Sequence, residues 1–119
     1  MEWYEYSFER FEAWKKAKEL VKIIYCVTDG FPKKEQFGIS QQIRRASLSV
    51  ASNIAEGTAR PSIKDRAHFM VMAYTSLLET VNQAIIANEQ GYITDGDYKK
   101  VRMLSSEVSR ILNSLRNDS

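Results

Sequence analysis

Several residue types are scarce in this sequence. It contains one cysteine, one histidine, two prolines and five glycines among 119 residues. All-β proteins need many tight turns, and tight turns draw on glycine and proline, so this scarcity disfavours an all-β fold. The single cysteine, Cys26, cannot form an internal disulfide, and we expect it to serve as a small apolar side chain in a reducing compartment.

The single histidine, His68, excludes several classes of metalloenzyme. A di-iron helical bundle needs two Glu-x-x-His motifs, and the zinc proteases need His-Glu-x-x-His. The sequence also lacks a glycine-rich phosphate loop, and no serine is spaced from His68 in a way that indicates a catalytic nucleophile. We therefore predict no catalytic residues, no metal and no cofactor, in a protein that is not an enzyme.

Long apolar runs are absent as well. No stretch approaches the roughly 18 apolar residues that a membrane span requires. The opening segment, MEWYEYSFERFE, is acidic and aromatic, which is unlike a secretory signal. These two absences predict a soluble cytoplasmic protein with no membrane partner.

What the sequence does contain is a helical pattern. Hydrophobic residues make up 44% and charged residues 27%, an ordinary globular balance, and the length suits a single domain over residues 1–119. Breaks at 29–32, 57–62 and 91–94 separate segments in which apolar residues recur at steps of three and four. These segments predict helices over roughly 8–29, 36–57, 62–90 and 95–117. Short connections between them favour an all-α, antiparallel up-down-up-down four-helix bundle.

The breaks also carry the residues typical of helix ends. Ser62 and Thr94 are each followed three residues later by an aspartate, a pattern typical of helix N-caps. Gly57 and Gly91 suit the left-handed position just past a helix C-terminus.

The second predicted helix has two apolar sides. One stripe is predicted to enter the bundle core, and it comprises Ile39, Ile43, Ala46, Val50 and Ile54. Another side is rich in small residues, which permit close approach of a second backbone. Its members are Arg44, Leu48, Ala51 and Ala55. Because a bundle buries one side of each helix, this second side predicts an oligomer interface. The alternative is an exposed alanine-rich face, since alanine is the best helix former.

A third strip of the same helix is polar and flanks the core stripe. It carries Gln42, Arg45, Ser49, Asn53 and Glu56. Arg45 and Glu56 lie about 16 Å apart along the helix axis, too far to pair directly. Glu79 in the third helix is a candidate partner for Arg45 or Arg44. Because a partly buried charged strip needs partners, we predict a network that fixes packing specificity rather than catalysis. Its members are Arg45, Ser49, Asn53, Glu56 and Glu79.

Net charge is only +2, but the basic residues are clustered. Lys15, Lys18 and Lys22 share one face of the first helix, with aromatic residues nearby. Aligned lysines neutralise phosphates and aromatic rings stack on unpaired bases, so this face predicts nucleic-acid binding. Arg44 and Arg45 are further candidates for phosphate contact. The alternative is a solubilising surface, since acidic residues lie among these lysines.

The segment QIRRASLSVASNIAEG, residues 42–57, closely resembles the hallmark of a family of small proteins known from 23S ribosomal-RNA intervening sequences. Further matching segments are FEAWKKAKELVKIIY at 11–25, AYTSLLET at 73–80 and GYITDGDYKKV at 91–101. One departure is Ala51, where the family often has proline. The resemblance implies a four-helix bundle that assembles into a ring-shaped homopentamer.

The chain is also similar to the accessory variability proteins of diversity-generating retroelements, which are basic pentamers that bind nucleic acid and a reverse transcriptase. Two functions therefore stay open. One is a nucleic-acid-binding accessory protein, with RNA or DNA as its partner, encoded in or near a ribosomal-RNA intervening sequence. The other is a structural adaptor that docks another protein without binding nucleic acid.

Overall fold

The structure is a computed structural model that describes residues 2–117, with side chains described through Leu115. The described residues form four α-helices and no strand. The helices are α1 (Glu12–Thr28), α2 (Ile39–Thr58), α3 (Ile63–Glu89) and α4 (Asp95–Asn117). Short 3-10 turns at Ser7–Arg10 and Lys33–Glu35 precede α1 and α2. The predicted all-α class with four helices is confirmed.

The four helices pack in a closed cycle. The contacting pairs are α1 with α2, α2 with α3, α3 with α4, and α4 with α1. Within residues 2–117, the diagonal pairs bring no Cα atoms within 8 Å of each other. The linkers 59–62 and 90–94 reach at most about 18 Å, which is shorter than the roughly 30 Å of α2. The pairs α2–α3 and α3–α4 therefore run antiparallel. Arg44, near the start of α2, contacts Thr28 at the end of α1, so this pair is antiparallel as well, as an up-down-up-down bundle requires.

The core contains apolar side chains from all four helices. The largest fully buried ones include Leu20, Ile24, Ile43, Ile54, Leu77 and Leu112. Each such side chain stabilises the fold by about 1.5–3 kcal/mol relative to an exposed position. The predicted α2 stripe is buried from Ile43 to Ile54, while Ile39 is half-buried against a small second cluster of Phe31, Ala87 and Ile93.

Two helices begin later than the apolar spacing predicts. α1 begins at Glu12 instead of residue 8, because the preceding 3-10 turn is fixed by a hydrogen bond from the Tyr6 backbone to the Glu9 carboxylate, 2.8 Å. α2 begins at Ile39 instead of residue 36. The segment before it is held by buried Phe31 and by the Tyr92 hydroxyl, which donates to the Glu35 carboxylate at 3.0 Å. This hydrogen bond raises the pKa of Tyr92.

The predicted N-caps are confirmed. The Ser62 hydroxyl accepts a hydrogen bond from the Asp65 backbone, 3.0 Å, and the Thr94 hydroxyl accepts one from the Asp97 backbone, 3.2 Å. Each cap satisfies one of the backbone N–H groups that a helix start leaves unpaired.

The two helix-end glycines have different roles. Gly91 has φ +80, as the left-handed position after a helix requires. Gly57 is instead buried inside α2, so the predicted left-handed conformation is wrong there. A Cβ at Gly57 would lie 2.8 Å from the Phe69 Cβ and 2.7 Å from the Met70 Cε. Glycine is needed at this point because α3 packs directly against the α2 backbone.

Candidate interaction surfaces

The side of α2 predicted to be an oligomer interface lies beside α1 of the same chain. Ala51 is only 8% exposed and belongs to the main core cluster. Its small side chain lets α1 and α2 approach each other within one subunit. Leu48 is 48% exposed and Ala55 is half-buried, so these two remain available at the surface.

Arg44, predicted for both the interface and the nucleic-acid surface, is held inside the chain. Its Nε donates to the Thr28 hydroxyl at 2.6 Å, and its terminal nitrogen lies 3.0 Å from the Asp29 carboxylate. The guanidinium also stacks over the Tyr25 ring, 5.0 Å from its centroid. These contacts tie the start of α2 to the end of α1.

An apolar groove runs between these two helices, and we call it the α1–α2 groove. It has a volume of about 270 Å³. Its lining consists of Phe8, Trp14, Lys18, Val21, Leu48, Ala51, Ser52 and Ala55. Apolar side chains dominate this lining, and the sequence indicated only its α2 half.

An aromatic arm, residues 3–8, extends from this groove. Trp3, Tyr4 and Tyr6 are 71%, 72% and 58% exposed. The Phe8 ring packs edge-on against Trp14, with centroids 5.0 Å apart, so the arm and the groove form one continuous surface. Large aromatic rings with this exposure favour burial against a partner.

The predicted lysine face of α1 is exposed but electrostatically mixed. Lys15, Lys18 and Lys22 are all exposed, and the Lys18 ammonium lies 4.9 Å from the Trp14 ring centroid. Glu12 and Glu19 are exposed on the same helix. Nearby carboxylates weaken the attraction of these lysines for phosphate.

Lys16, on the same helix, is paired with α4. Its ammonium lies 3.1 Å from the Glu107 carboxylate and 4.0 Å from Glu19. The hydrogen bond to Glu107, together with the negative charge of that carboxylate, raises the pKa of Lys16 above its ordinary value. The pair neutralises the carboxylate of Glu107 on α4.

The predicted polar network is smaller than the sequence suggested. The Ser49 and Ser76 hydroxyls lie 2.8 Å apart and join α2 to α3, and the Asn53 amide donates to the Ser49 carbonyl at 2.9 Å and hydroxyl at 3.1 Å. Glu79 accepts only a long bond from Gln83, 3.4 Å. Ser76 is the α3 partner that the sequence prediction missed.

Arg45 and Glu56 do not join this network. Both are exposed, and within the described chain neither side chain has a hydrogen bond or ion pair. The reason is their direction, because these positions face solvent while Ser49 and Asn53 face α3. Arg45 is therefore an exposed cation on α2 with no polar partner among the described residues.

A groove between α3 and α4 was not predicted, and we call it the α3–α4 groove. It has a volume of about 350 Å³ and carries two arginines and three serines of α4 along one edge. An apolar cavity of about 430 Å³ lies at one end of the bundle, among Phe11, Thr58, Ile63, Arg66 and Met70. Both features combine residues that are far apart in the sequence.

Cys26 is free and exposed on α1. Across residues 2–117, no cluster of three or more histidine, cysteine, aspartate or glutamate side chains is placed to hold a metal ion. In the same part of the chain, none of the helices combines the length and apolar character needed to cross a membrane.

Comparison with known proteins agrees with this architecture. A family model described as 23S rRNA-intervening sequence protein matches residues 9–114. A crystal structure of a protein of unknown function from the S23 ribosomal protein family of Bacteroides thetaiotaomicron superposes with a TM-score of 0.81. The identity is 24%, and the match covers 87% of this chain and 97% of the other. At this identity the superposition shows the shared fold alone. No curated protein matches the chain.

Proposed function

The chain belongs to the family of 23S rRNA-intervening sequence proteins, and on that premise we propose a cytoplasmic, non-enzymatic, homo-oligomeric protein that binds nucleic acid. In this role it serves as an accessory protein encoded in or near a ribosomal-RNA intervening sequence. The observation that carries the proposal is a set of exposed cations without carboxylate partners in the described chain. Such cations lie on all four helices, and those of α4 are Lys99, Lys100, Arg102 and Arg110.

Self-association is supported by the aromatic arm and the α1–α2 groove. The exposed rings of Trp3, Tyr4 and Tyr6 have no core of their own to enter, and Leu48 is exposed in the groove that Phe8 of the arm lines. A second copy of the chain would bury this surface. The family resemblance implies five copies in a ring. A ring repeats each weak cationic patch around its axis, and this multivalency raises the overall affinity for a long polyanion.

Nucleic-acid binding is tested by titrating the full chain into labelled RNA single strand, RNA duplex and DNA duplex, with fluorescence anisotropy as the readout. We expect binding that weakens steeply between about 50 and 200 mM salt, because counterions are released when phosphates are neutralised. Absence of binding to every probe at the lowest salt would refute the proposal.

Assembly is tested by light scattering on Leu48→Glu/Ser52→Glu. Both residues line the α1–α2 groove and are exposed, so the charges oppose association without entering the core. Val71→Glu/Thr75→Glu is the matched control, since these are also an exposed apolar residue and an exposed hydroxyl one turn apart on α3. We expect the groove variant to become monomeric and the control to keep its mass. The reverse pattern would place the interface elsewhere.

A structural adaptor is the second candidate, and the aromatic arm favours it. The arm contains Glu5 and is flanked by Glu2 and Glu9, and negative charge repels a nucleic acid. An adaptor would also be oligomeric, but it would bind none of the three nucleic-acid probes. The titration therefore separates the candidates.

A further inference from the structure

The α3–α4 groove has a polar edge and an apolar edge. Leu78 of α3 is 52% exposed on the apolar side. The polar side belongs to α4 and consists of Arg102, Ser105, Ser106, Ser109 and Arg110. Guanidinium and hydroxyl groups together are the donors that proteins use to bind phosphate oxygens.

The two arginines carry positive charge that no carboxylate cancels. The Arg102 guanidinium donates to the Tyr98 hydroxyl at 2.6 Å and lies 5.6 Å from the Tyr98 ring centroid, contacts that orient it but leave its charge in place. In the described part of the chain, Arg110 has no hydrogen bond or ion pair. The nearest acid along the helix is Glu107, which is paired with Lys16 of α1.

A buried hydroxyl lies beneath the polar edge of this groove. Ser105 is 3% exposed, and its hydroxyl has no hydrogen-bond partner among the described residues. An unpaired buried hydroxyl is costly, so such a group needs an explanation. Ser105 lines the base of the same groove, where protein atoms cover its hydroxyl, so Arg102 and Arg110 are the groups that a phosphate in the groove would meet.

The spacing of the cations suits an extended polyanion. Arg102 and Arg110 are eight residues apart, about 12 Å along the helix axis, and exposed Lys99 precedes them by one turn. Phosphates along one strand of a duplex are spaced about 3.4 Å along the axis, so this row spans several of them. An isolated small anion would meet only one of these cations at a time.

We infer that the α3–α4 groove is the surface that contacts the phosphodiester backbone of a bound nucleic acid, with Arg102 and Arg110 as its principal phosphate ligands. The inference rests on the proposed function, and it assigns nucleic-acid binding to a different side of the bundle from the one that carries the α1 lysines. The α1 lysines lie among exposed Glu12 and Glu19, whereas the acid that lies among the α4 cations, Glu107, is paired with Lys16.

The test compares two neutralising double variants of equal charge, Arg102→Gln/Arg110→Gln and Lys15→Gln/Lys22→Gln, in the anisotropy titration. We expect the α4 variant to lose about tenfold or more in affinity for the RNA single strand, with the salt slope reduced by about 1.4, or about 0.7 for each lost contact. The α1 variant should change affinity by less than about threefold. Arg102→Lys/Arg110→Lys should keep the salt slope, because the charge is retained.

The outcomes separate this inference from the proposed function. If the wild-type chain binds and the α4 variant keeps its affinity and slope, the groove assignment is overturned while nucleic-acid binding stands. If the wild-type chain binds no probe, both are overturned. Phosphate is common to RNA and DNA, so a single-stranded DNA probe should lose affinity by the same factor as RNA. A loss confined to one of them would also overturn the assignment. Urea unfolding verifies that both variants fold.

Discussion

The two sides of the bundle contain grooves of similar size and different chemistry. In the α1–α2 groove, apolar side chains dominate the lining, and Arg44 nearby is already bonded to Thr28 and Asp29. In the α3–α4 groove, serines line one edge and Arg110 has no polar partner within the described residues. The lining of the first groove is mainly apolar, and the lining of the second includes hydroxyl and guanidinium groups.

This difference shows why a count of cations does not locate a binding surface. Arg44 and Arg45 are adjacent in the sequence, yet Arg44 is held by α1 and Arg45 has no polar partner among the described residues. A cation already paired gives little net attraction for phosphate, because a new contact must replace an old one. An unpaired cation in a groove gives the full gain from counterion release.

The largest expected effect is the difference in stability between two glutamate substitutions, one on each side of the bundle. Ala51→Glu inserts a charge into the main core between α1 and α2, and we expect a loss of about 4 kcal/mol or more in the free energy of unfolding. Ser106→Glu on the α3–α4 side is exposed, and we expect a change within about 0.5 kcal/mol. Urea unfolding followed by circular dichroism measures both. Equal stability of the two variants would contradict the difference in packing.

The second prediction concerns the contact between α2 and α3, where the two sides of the bundle meet. Gly57→Ala places a Cβ against Phe69 and Met70, and we expect a loss of about 1–3 kcal/mol from overpacking. The matched control is Gly96→Ala in α4, where a Cβ would meet nothing within 4 Å. That change should be neutral or stabilising by up to about 1 kcal/mol, since alanine favours a helix. Thermal unfolding of the pair is the measurement, and a stabilised Gly57→Ala would disprove the close approach.

A third effect compares one arginine from each side. Arg44→Ala removes the bond to Thr28 and the stacking on Tyr25, so we expect it to cost about 1–2 kcal/mol of stability. Arg110→Ala should change stability by less than about 0.5 kcal/mol, because in the described chain it has no polar partner to lose. Chemical unfolding of the two variants measures the loss of stability in each. A larger loss of stability for Arg110→Ala than for Arg44→Ala would show that the Arg110 side chain makes a stabilising contact in the folded protein.

The smallest effect concerns the ion pair that joins the two sides, Lys16 with Glu107. In the folded protein, the hydrogen bond to Glu107 raises the pKa of Lys16. The stabilisation is therefore fully present below the ordinary pKa of 10.5 and is lost as pH rises through the raised value. We expect a small extra fall in thermal stability of the wild-type chain above pH 10.5, relative to Lys16→Met. Parallel pH profiles of the two proteins would contradict the pairing.

The fold was largely predictable because its signals are local. The α2 core stripe and the N-caps at Ser62 and Thr94 depend on spacing within one or two turns, and all of these are confirmed apart from half-buried Ile39. The starts of α1 and α2 were not predictable. They depend on contacts such as Tyr92 with Glu35, which join residues distant in the chain.

Gly57 shows a second limit of sequence reasoning. A glycine after an apolar run is typical of a helix end, and Gly91 follows that rule with φ +80. Gly57 instead permits close packing of α3. The two roles require the same residue and differ only in tertiary surroundings, which a single sequence does not contain.

The interaction surfaces were predictable only in part. The exposure of Lys15, Lys18 and Lys22 follows from helical spacing, and the structure bears it out. The commitment of Arg44 to Asp29 and the neutralisation of Glu107 by Lys16 depend on which helices are neighbours. The α3–α4 groove escaped prediction because its serines and arginines are ordinary for an exposed helix until α3 is placed beside them.

The most direct test of the contrast between the two sides is nuclear magnetic resonance of the arginine Nε–H groups in the full-length protein, with unlabelled RNA single strand added. The account predicts that the signals of Arg102 and Arg110 shift as RNA binds, while the Arg44 signal stays in place because its Nε–H is bonded to Thr28. A shift of Arg44 together with the backbone amides of Lys15 and Lys22, with Arg102 and Arg110 unchanged, would contradict it and place nucleic acid on the α1–α2 side.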